Sequence, residues 1–171
     1  NTPTNISLSV TTIIENYAVG TLVGQFTTTD ADAGDTHTYT LVTGNGTNDA
    51  DNASFTIVGD KLKNASVFDF ETKDEYFIYV QTEDASGLTF AKAFTISVVN
   101  TNETPSNISL SASSISENNT TGTVVGQFTT TDTDAGDTHT YSLATGNGTN
   151  DADNASFTIV GNELKTAAIF D

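Results

Sequence analysis

The chain has no cysteine, no methionine and no tryptophan, and only two prolines among its 171 residues. Without cysteine it can form no disulfides or thiolate metal sites and carries no cysteine nucleophile. Basic side chains are scarce too: five Lys/Arg stand against 22 Asp/Glu, a net charge of -17. Such a chain lacks the cations that neutralise phosphates, which excludes nucleic acid as a partner. No run approaches the ~18 apolar residues of a membrane span. No secretory leader is visible and the first residue is Asn1, so the sequence reads as an internal fragment or a mature product. Apolar residues make up 36%, and Leu, Ile, Val and Phe together about 23%. That lies just above the ~20% at which high net charge points to disorder. Hard cations on oxygen ligands are the remaining means of offsetting so thin a core and so much negative charge.

What the chain does have is repetition. Thr2-Pro3 recurs as Thr104-Pro105 and Glu15-Asn16 as Glu117-Asn118, and the run Gly44–Gly59 returns unchanged as Gly146–Gly161. The shift is 102 residues throughout, and 51 of the 69 overlapping positions are identical. Identity this high at one spacing indicates recent duplication within a longer array of modules. The expected domains are residues 1–102 and a second copy over 103–171.

A period near 100 residues exceeds that of solenoid repeats and matches one immunoglobulin-sized sandwich per copy. Seven runs of the first copy alternate with period two: Asn5–Val10, Thr21–Thr28, Thr36–Val42, Ser54–Val58, Lys61–Lys63, Tyr76–Thr82 and Phe90–Val99. Runs rich in Thr, Val, Ile and aromatics read as strands, and the Gly-, Asn-, Asp- and Ser-rich segments between them read as turns. No segment keeps a 3.6-residue apolar spacing, so no helix is expected. The fold class is all-β: tandem seven-stranded Greek-key sandwiches, immunoglobulin-like, with the second copy truncated. That copy lacks the counterparts of Tyr76–Thr82 and Phe90–Val99, its most hydrophobic strands, which leaves apolar faces and unpaired edges. Either the segment was cut from a longer array or a neighbouring, identical chain supplies the strands.

The carboxylates gather at strand ends: Glu15, Asp30/Asp32/Asp35, Asp49/Asp51, Asp69/Glu71 and Glu83/Asp84. Asp30–Asp35 has the spacing of an EF-hand loop only superficially, because Leu41 stands where a bidentate Glu is required and no helices flank it. The Asn45–Asn52 loop reads as an Asx-rich turn, with a minor ion site or a sugar-contacting loop as alternatives. His37 and His139, each two residues before a tyrosine, read as strand-surface residues. No nucleophile has a recognisable His and acid partner, and no phosphate loop appears. Glycosidase chemistry needs a carboxyl in an apolar pocket, whereas these lie in polar turns. An enzyme is not expected.

In order along the chain, Ile14-Glu15-Asn16 with Gly20-Thr21, Asp30-Ala31-Asp32 before Tyr39-Thr40-Leu41, Phe68-Asp69-Phe70-Glu71, Asp84-Ala85-Ser86-Gly87 and Asn100-Thr101-Asn102-Glu103-Thr104-Pro105 resemble the motifs of cadherin repeats, especially bacterial cadherin-like ones. The resemblance implies Ca2+ between successive repeats. It assigns Glu15, Asp69 and Glu71 from the first copy, Asn100, Thr101, Asn102 and Glu103 from the linker, and Asp132 and Asp134 from the second. Asp30, Asp32 and Asp84 then face a preceding repeat, and Glu117 and Asp171 a following one. The linker departs from the family pattern at Asn100, Glu103 and Thr104. Like charges ~4 Å apart repel by about 4 kcal/mol at an effective dielectric of ~20, and divalent cations remove that penalty. Calcium's six to eight flexible oxygen ligands suit carboxylates and Asn carbonyls better than magnesium's octahedron.

The expected function is a calcium-rigidified structural and adhesive module of a long extracellular bacterial surface protein or fibre, partnered by neighbouring repeats and a possible cell-surface ligand. The alternative is a carbohydrate-binding module of a secreted enzyme or adhesin. Its polysaccharide site would need an aromatic platform, for which Tyr17 is an exposed candidate, replaced by Asn119 in the second copy.

Overall fold

A computed structural model describes residues 1–171 as two compact units, Asn1–Thr101 and Asn102–Asp171. In unit 1 the strands are β1 (Asn5–Leu8), β2 (Thr12–Ile14), β3 (Leu22–Thr29), β4 (His37–Leu41), β5 (Phe55–Val58), β6 (Lys61–Asn64), β7 (Glu75–Asp84) and β8 (Thr89–Val99). They form two four-stranded sheets, ordered β1-β3-β6-β5 and β2-β8-β7-β4. The apolar residues at alternate positions meet between them. Ile6, Val23, Phe26, Phe55 and Leu62 from the first sheet pack with Ile13, Ile78, Val80, Ile96 and Val98 from the second, and Phe68 joins from a loop. Each such side chain contributes about 1.5–3 kcal/mol on burial. Tyr39, Tyr76 and Phe94 extend this core from its margin.

Eight strands form where the periodicity predicts seven. The run expected over Asn5–Val10 ends at Leu8 as β1, paired antiparallel with β3; the chain then crosses over, and an unexpected strand, β2, pairs parallel with β8. Gly24 permits the crossing. A Cβ there would lie 2.7 Å from the Val10 carbonyl oxygen, and the β3–β6 register breaks between Leu22 and Gly24. One short 3-10 turn, Asn52–Ser54, also departs from the helix-free expectation. It is too short to carry an amphipathic period.

Unit 2 has β9 (Asn107–Leu110), β10 (Val124–Thr131), a 3-10 turn at Asn154–Ser156, β11 (Phe157–Val160) and β12 (Glu163–Thr166). They make one four-stranded sheet ordered β11-β12-β10-β9, equivalent to the first sheet of unit 1. The residues matching β2 and β4 form no strand.

Candidate metal centres

Three groups of carboxylates converge, each bringing one oxygen per residue within 4.8 Å of the others. The first is Glu15, Asp69 and Glu71 in unit 1. Glu15 follows β2, is 1% exposed, and holds two backbone amides: Phe70 N–H donates to Oε2 at 2.9 Å and Thr101 N–H to Oε1 at 2.7 Å. Asn16 beside it has φ 60°, a left-handed conformation that Asn tolerates better than most residues. Its amide donates to the Phe68 carbonyl at 2.9 Å. The Glu-Asn pair thus turns the chain and ties it to the Phe68–Glu71 loop. Asp69 accepts from the Thr72 amide at 3.1 Å and the Thr72 hydroxyl at 2.9 Å, and Asn100 Nδ2 donates to Glu71 Oε1 at 2.7 Å.

The second group is Asp30, Asp35 and Asp84. Asp84 ends β7, and its Oδ1 accepts the Ser86 and Leu88 amides at 2.8 and 2.9 Å, closing a turn with Gly87 at φ 82°. Its Oδ2 is buried with no hydrogen-bond partner, although Asp30 and Asp35 stand beside it. Two carboxylates at ~4.8 Å repel by about 3.5 kcal/mol at an effective dielectric of ~20. An unpaired buried carboxylate oxygen among other carboxylates is a donor set that fits a hard cation.

The third group, in unit 2, is Asp132, Asp134 and Asp137. Asp134 accepts the Glu103 amide on Oδ2 at 2.5 Å, and its own amide donates to Asp132 Oδ1 at 3.1 Å. His139 Nε2 lies 3.0 Å from Asp132 Oδ2. That hydrogen bond, aided by the Asp134 amide, holds the Asp132 carboxyl below the usual carboxylate range.

Of the expected ligands, Glu15, Asp69, Glu71, Asp30, Asp84, Asp132 and Asp134 therefore lie in clusters. Asn100 and Thr101 touch the first cluster through hydrogen bonds, and Glu103 touches Asp134. Asn102 donates from Nδ2 to the Glu103 carbonyl at 3.0 Å. Asp32 belongs to no cluster; it pairs with the Asn1 amino group and accepts from Asn1 Nδ2 at 2.6 Å. Glu117 and Asp171 are exposed and unclustered. Asp35 and Asp137 are members that the family motif does not mark. Their signal is Asp-Ala-Gly-Asp, a turn with Gly34 at φ 89° and Gly136 at φ 95° that folds the last Asp back toward the first. His37 lies on β4, partly buried, with its side chain 13% exposed and facing Asp30 at 3.5 Å.

The Asn45–Asn52 loop satisfies itself. Asp49 accepts the Gly44 and Gly46 amides at 2.8 and 2.7 Å, and these bonds, that from Gly44 foremost, lower its pKa. Asp51 pairs with Lys73 and accepts the Phe77 amide at 2.8 Å. Asp151 repeats the Asp49 arrangement with Gly146 and Gly148. Tyr17 is exposed, whereas Phe26, Tyr39, Phe55, Phe68, Tyr76 and Phe94 pack on one another. No aromatic platform of the kind a polysaccharide site needs is assembled by these rings.

No protein-family model and no curated protein matches the sequence. Solved structures do. A human protocadherin-24 EC1-2 structure aligns at TM-score 0.71 and 18% identity over 99% of this chain and 81% of its own. Mouse cadherin-23 EC22-24 aligns at 0.64 and 26% over 100% of this chain and 55% of its own. The protocadherin GammaB4 extracellular domain aligns at 0.61 and 23% over 100% of this chain. The chain spans less than half the length of the gamma protocadherin chains it matches, 28% in that case. No helix is long and apolar enough to cross a membrane. Two sheets, a strand that changes sheet after β1, and these neighbours together make the fold that of cadherin-like repeats.

Proposed function

We propose that the chain is an adhesive structural module, part of an extracellular array on a bacterial surface, whose carboxylate clusters bind calcium and thereby stiffen it. The observation that carries this reading is the buried, unpartnered Asp84 Oδ2 beside Asp30 and Asp35. The ligand set is Glu15, Asp69 and Glu71 with Asn100 and Thr101, and Asp30, Asp35 and Asp84, in unit 1; in unit 2 it is Asp132, Asp134 and Asp137 with Asn102 and Glu103. Bound calcium would offset repulsion within each group, as its flexible oxygen coordination allows. The neighbours' description as extracellular domains supports the location. The acidic, cysteine-free composition and near-identical tandem copies support the bacterial setting.

The test is calcium removal. In excess chelator the melting temperature is expected to fall and the maximum dimension in solution scattering to shorten, and millimolar calcium restores both. Magnesium at equal concentration restores less. A melting curve and scattering profile indifferent to chelator would refute the reading.

A further inference from the structure

The Asx-rich loop contains Asn45-Gly46 in unit 1 and Asn147-Gly148 in unit 2. Asn followed by Gly is the pair most prone to deamidation, because glycine has no Cβ to hinder attack of its nitrogen on the preceding side-chain amide. Nothing in either loop obstructs that approach sterically. Asn45 and Asn147 are exposed, and a Cβ at Gly46 or Gly148 would meet no atom within 4 Å. Hydrogen bonds hold the reacting groups instead. Gly46 N–H, the attacking nitrogen, donates to Asp49 Oδ1 at 2.7 Å. Asn45 Oδ1 accepts the Thr47 and Asn48 amides at 3.0 and 3.1 Å.

Unit 2 repeats the arrangement bond for bond. Gly148 N–H donates to Asp151 Oδ1 at 2.6 Å, and Asn147 Oδ1 accepts the Thr149 and Asn150 amides at 2.9 and 3.1 Å. The second oxygen of each aspartate is also engaged, by the Gly44 amide in one loop and the Gly146 amide in the other, both at 2.8 Å. Each carboxylate therefore bridges two amides of its own loop. Hydrogen bonds to an ionised acceptor are among the stronger ones in a folded chain. Asp49 and Asp151 lie outside the three carboxylate clusters, so the chemistry of this loop does not depend on a bound cation.

We propose that Asn45 and Asn147 are sites of spontaneous deamidation, and that Asp49 and Asp151 set its rate by holding the attacking amide. When the loop opens, the Gly46 nitrogen loses its proton to water and bonds to the side-chain carbonyl carbon of Asn45. The bond from that carbon to Nδ2 breaks, Nδ2 takes a proton from water and leaves as ammonia, and a succinimide ring remains. Water then adds to either ring carbonyl and gives aspartate or isoaspartate; nothing is oxidised or reduced. The Asp49 bond opposes the first step, because the nitrogen must leave its acceptor before it reaches the carbon. Each event adds a negative charge to a loop that already carries Asp49 or Asp151, and the isoaspartate product also lengthens the backbone there.

The test ages the intact chain in neutral buffer and follows its peptides by mass spectrometry, with chromatography to separate aspartate from isoaspartate. Conversion is expected at Asn45 and Asn147 ahead of Asn5, Asn48 and Asn52, none of which precedes glycine. Asp49→Ala should speed conversion at Asn45 by about tenfold or more, the worth of a hydrogen bond to a charged group, and leave Asn147 unchanged. Asp151→Ala should do the reverse. A synthetic peptide of residues 41–53, too short to hold the turn, should convert faster than the intact chain by a similar factor. That comparison stands even where Asp49→Ala unfolds its unit. Conversion that does not lead at Asn45 and Asn147, or equal rates in peptide and chain, overturns the proposal. So does an Asp49→Ala chain that melts like the parent yet converts no faster; a slower rate would make the carboxylate a base that assists the attack.

Discussion

The two units put one sequence into two environments. His37–Leu41 forms β4, hydrogen-bonded to β7 in register from His37↔Asp84 to Leu41↔Val80. Residues 139–143, differing by a single hydroxyl-for-hydroxyl exchange, form no strand because no β7 lies beside them. Ile13, 4% exposed, sits in β2 against Val98, whereas Ile115 is only partly buried and outside any strand. By contrast β9 to β12 keep the pairing of β1, β3, β5 and β6, down to the irregularity after Val124 that mirrors the one after Leu22. Strand propensity therefore expresses itself only where a partner exists, and the more self-sufficient sheet is the one whose four strands all lie in the same stretch of chain.

Amide exchange should break or uphold this contrast with the largest effect. The Val42 amide donates to the Tyr79 carbonyl at 2.9 Å; its counterpart is Ala144, where no β7 exists. Protection at Val42 is expected to exceed that at Ala144 by about a thousandfold or more, since core ladders open only with the whole unit and unpaired segments exchange freely. Comparable protection would mean the sheets are independent of each other.

Paired truncations come next. Phe26→Ala removes a ring 2% exposed at the centre of unit 1 and should cost about 3–5 kcal/mol in denaturant unfolding. Phe128→Ala removes the half-buried equivalent and should cost less than half as much, since fewer neighbours surround the cavity.

Asp84 has no counterpart in unit 2, so Asp84→Asn separates charge from fold. Its Oδ1 bonds to Ser86 and Leu88 can persist in the amide. In chelator the variant is expected to melt at or above the parent, because a buried carboxylate has left its cluster. In calcium it should melt below, with affinity at that cluster weaker by about tenfold, affinity following ligand charge. Calorimetric titration of both proteins measures this, with unit 2 as internal control.

Acid sensitivity of the Asx loop should be the smallest effect and the same in both units. Asp49 and Asp151 have carboxyls lowered by the Gly44 and Gly146 amides respectively, the largest cause in each. A depressed folded pKa means the contribution is complete above the unfolded value near 4 and is lost as pH falls through the folded one. Titrating the Gly44 and Gly146 amide shifts should give two closely matching midpoints below 4, and Asp49→Asn should flatten the first alone.

Much of the fold was legible because its signals are local. Alternation placed Ile78, Val80, Ile96 and Val98 inward, and the 102-residue shift marked the copies. β2 was not legible, since Thr12–Ile14 offers only three residues after Ser9–Thr11 and nothing local announces that they join a different sheet. Within the candidate sites, motif likeness located Glu15, Asp69, Asp84 and Asp132, but not Asp35 or Asp137, whose place depends on how the Gly34 and Gly136 turns fold back. Asp32 and Asp134 occupy the same motif position and each binds the main-chain nitrogen of the equivalent residue, Asn1 and Glu103, yet only Asp134 lies in a carboxylate cluster.

The crossover after β1 also governs how unit 1 would bear load. β2 and β8 run parallel through Thr12↔Ser97, Ile13↔Val98 and Ile14↔Val99, and the Glu15 carboxylate holds the Thr101 amide just beyond. Tension between the two ends of this unit draws those strands past each other along their length. The rungs must then shear together rather than unzip singly, so this parallel pair resists stiffly once load passes β1.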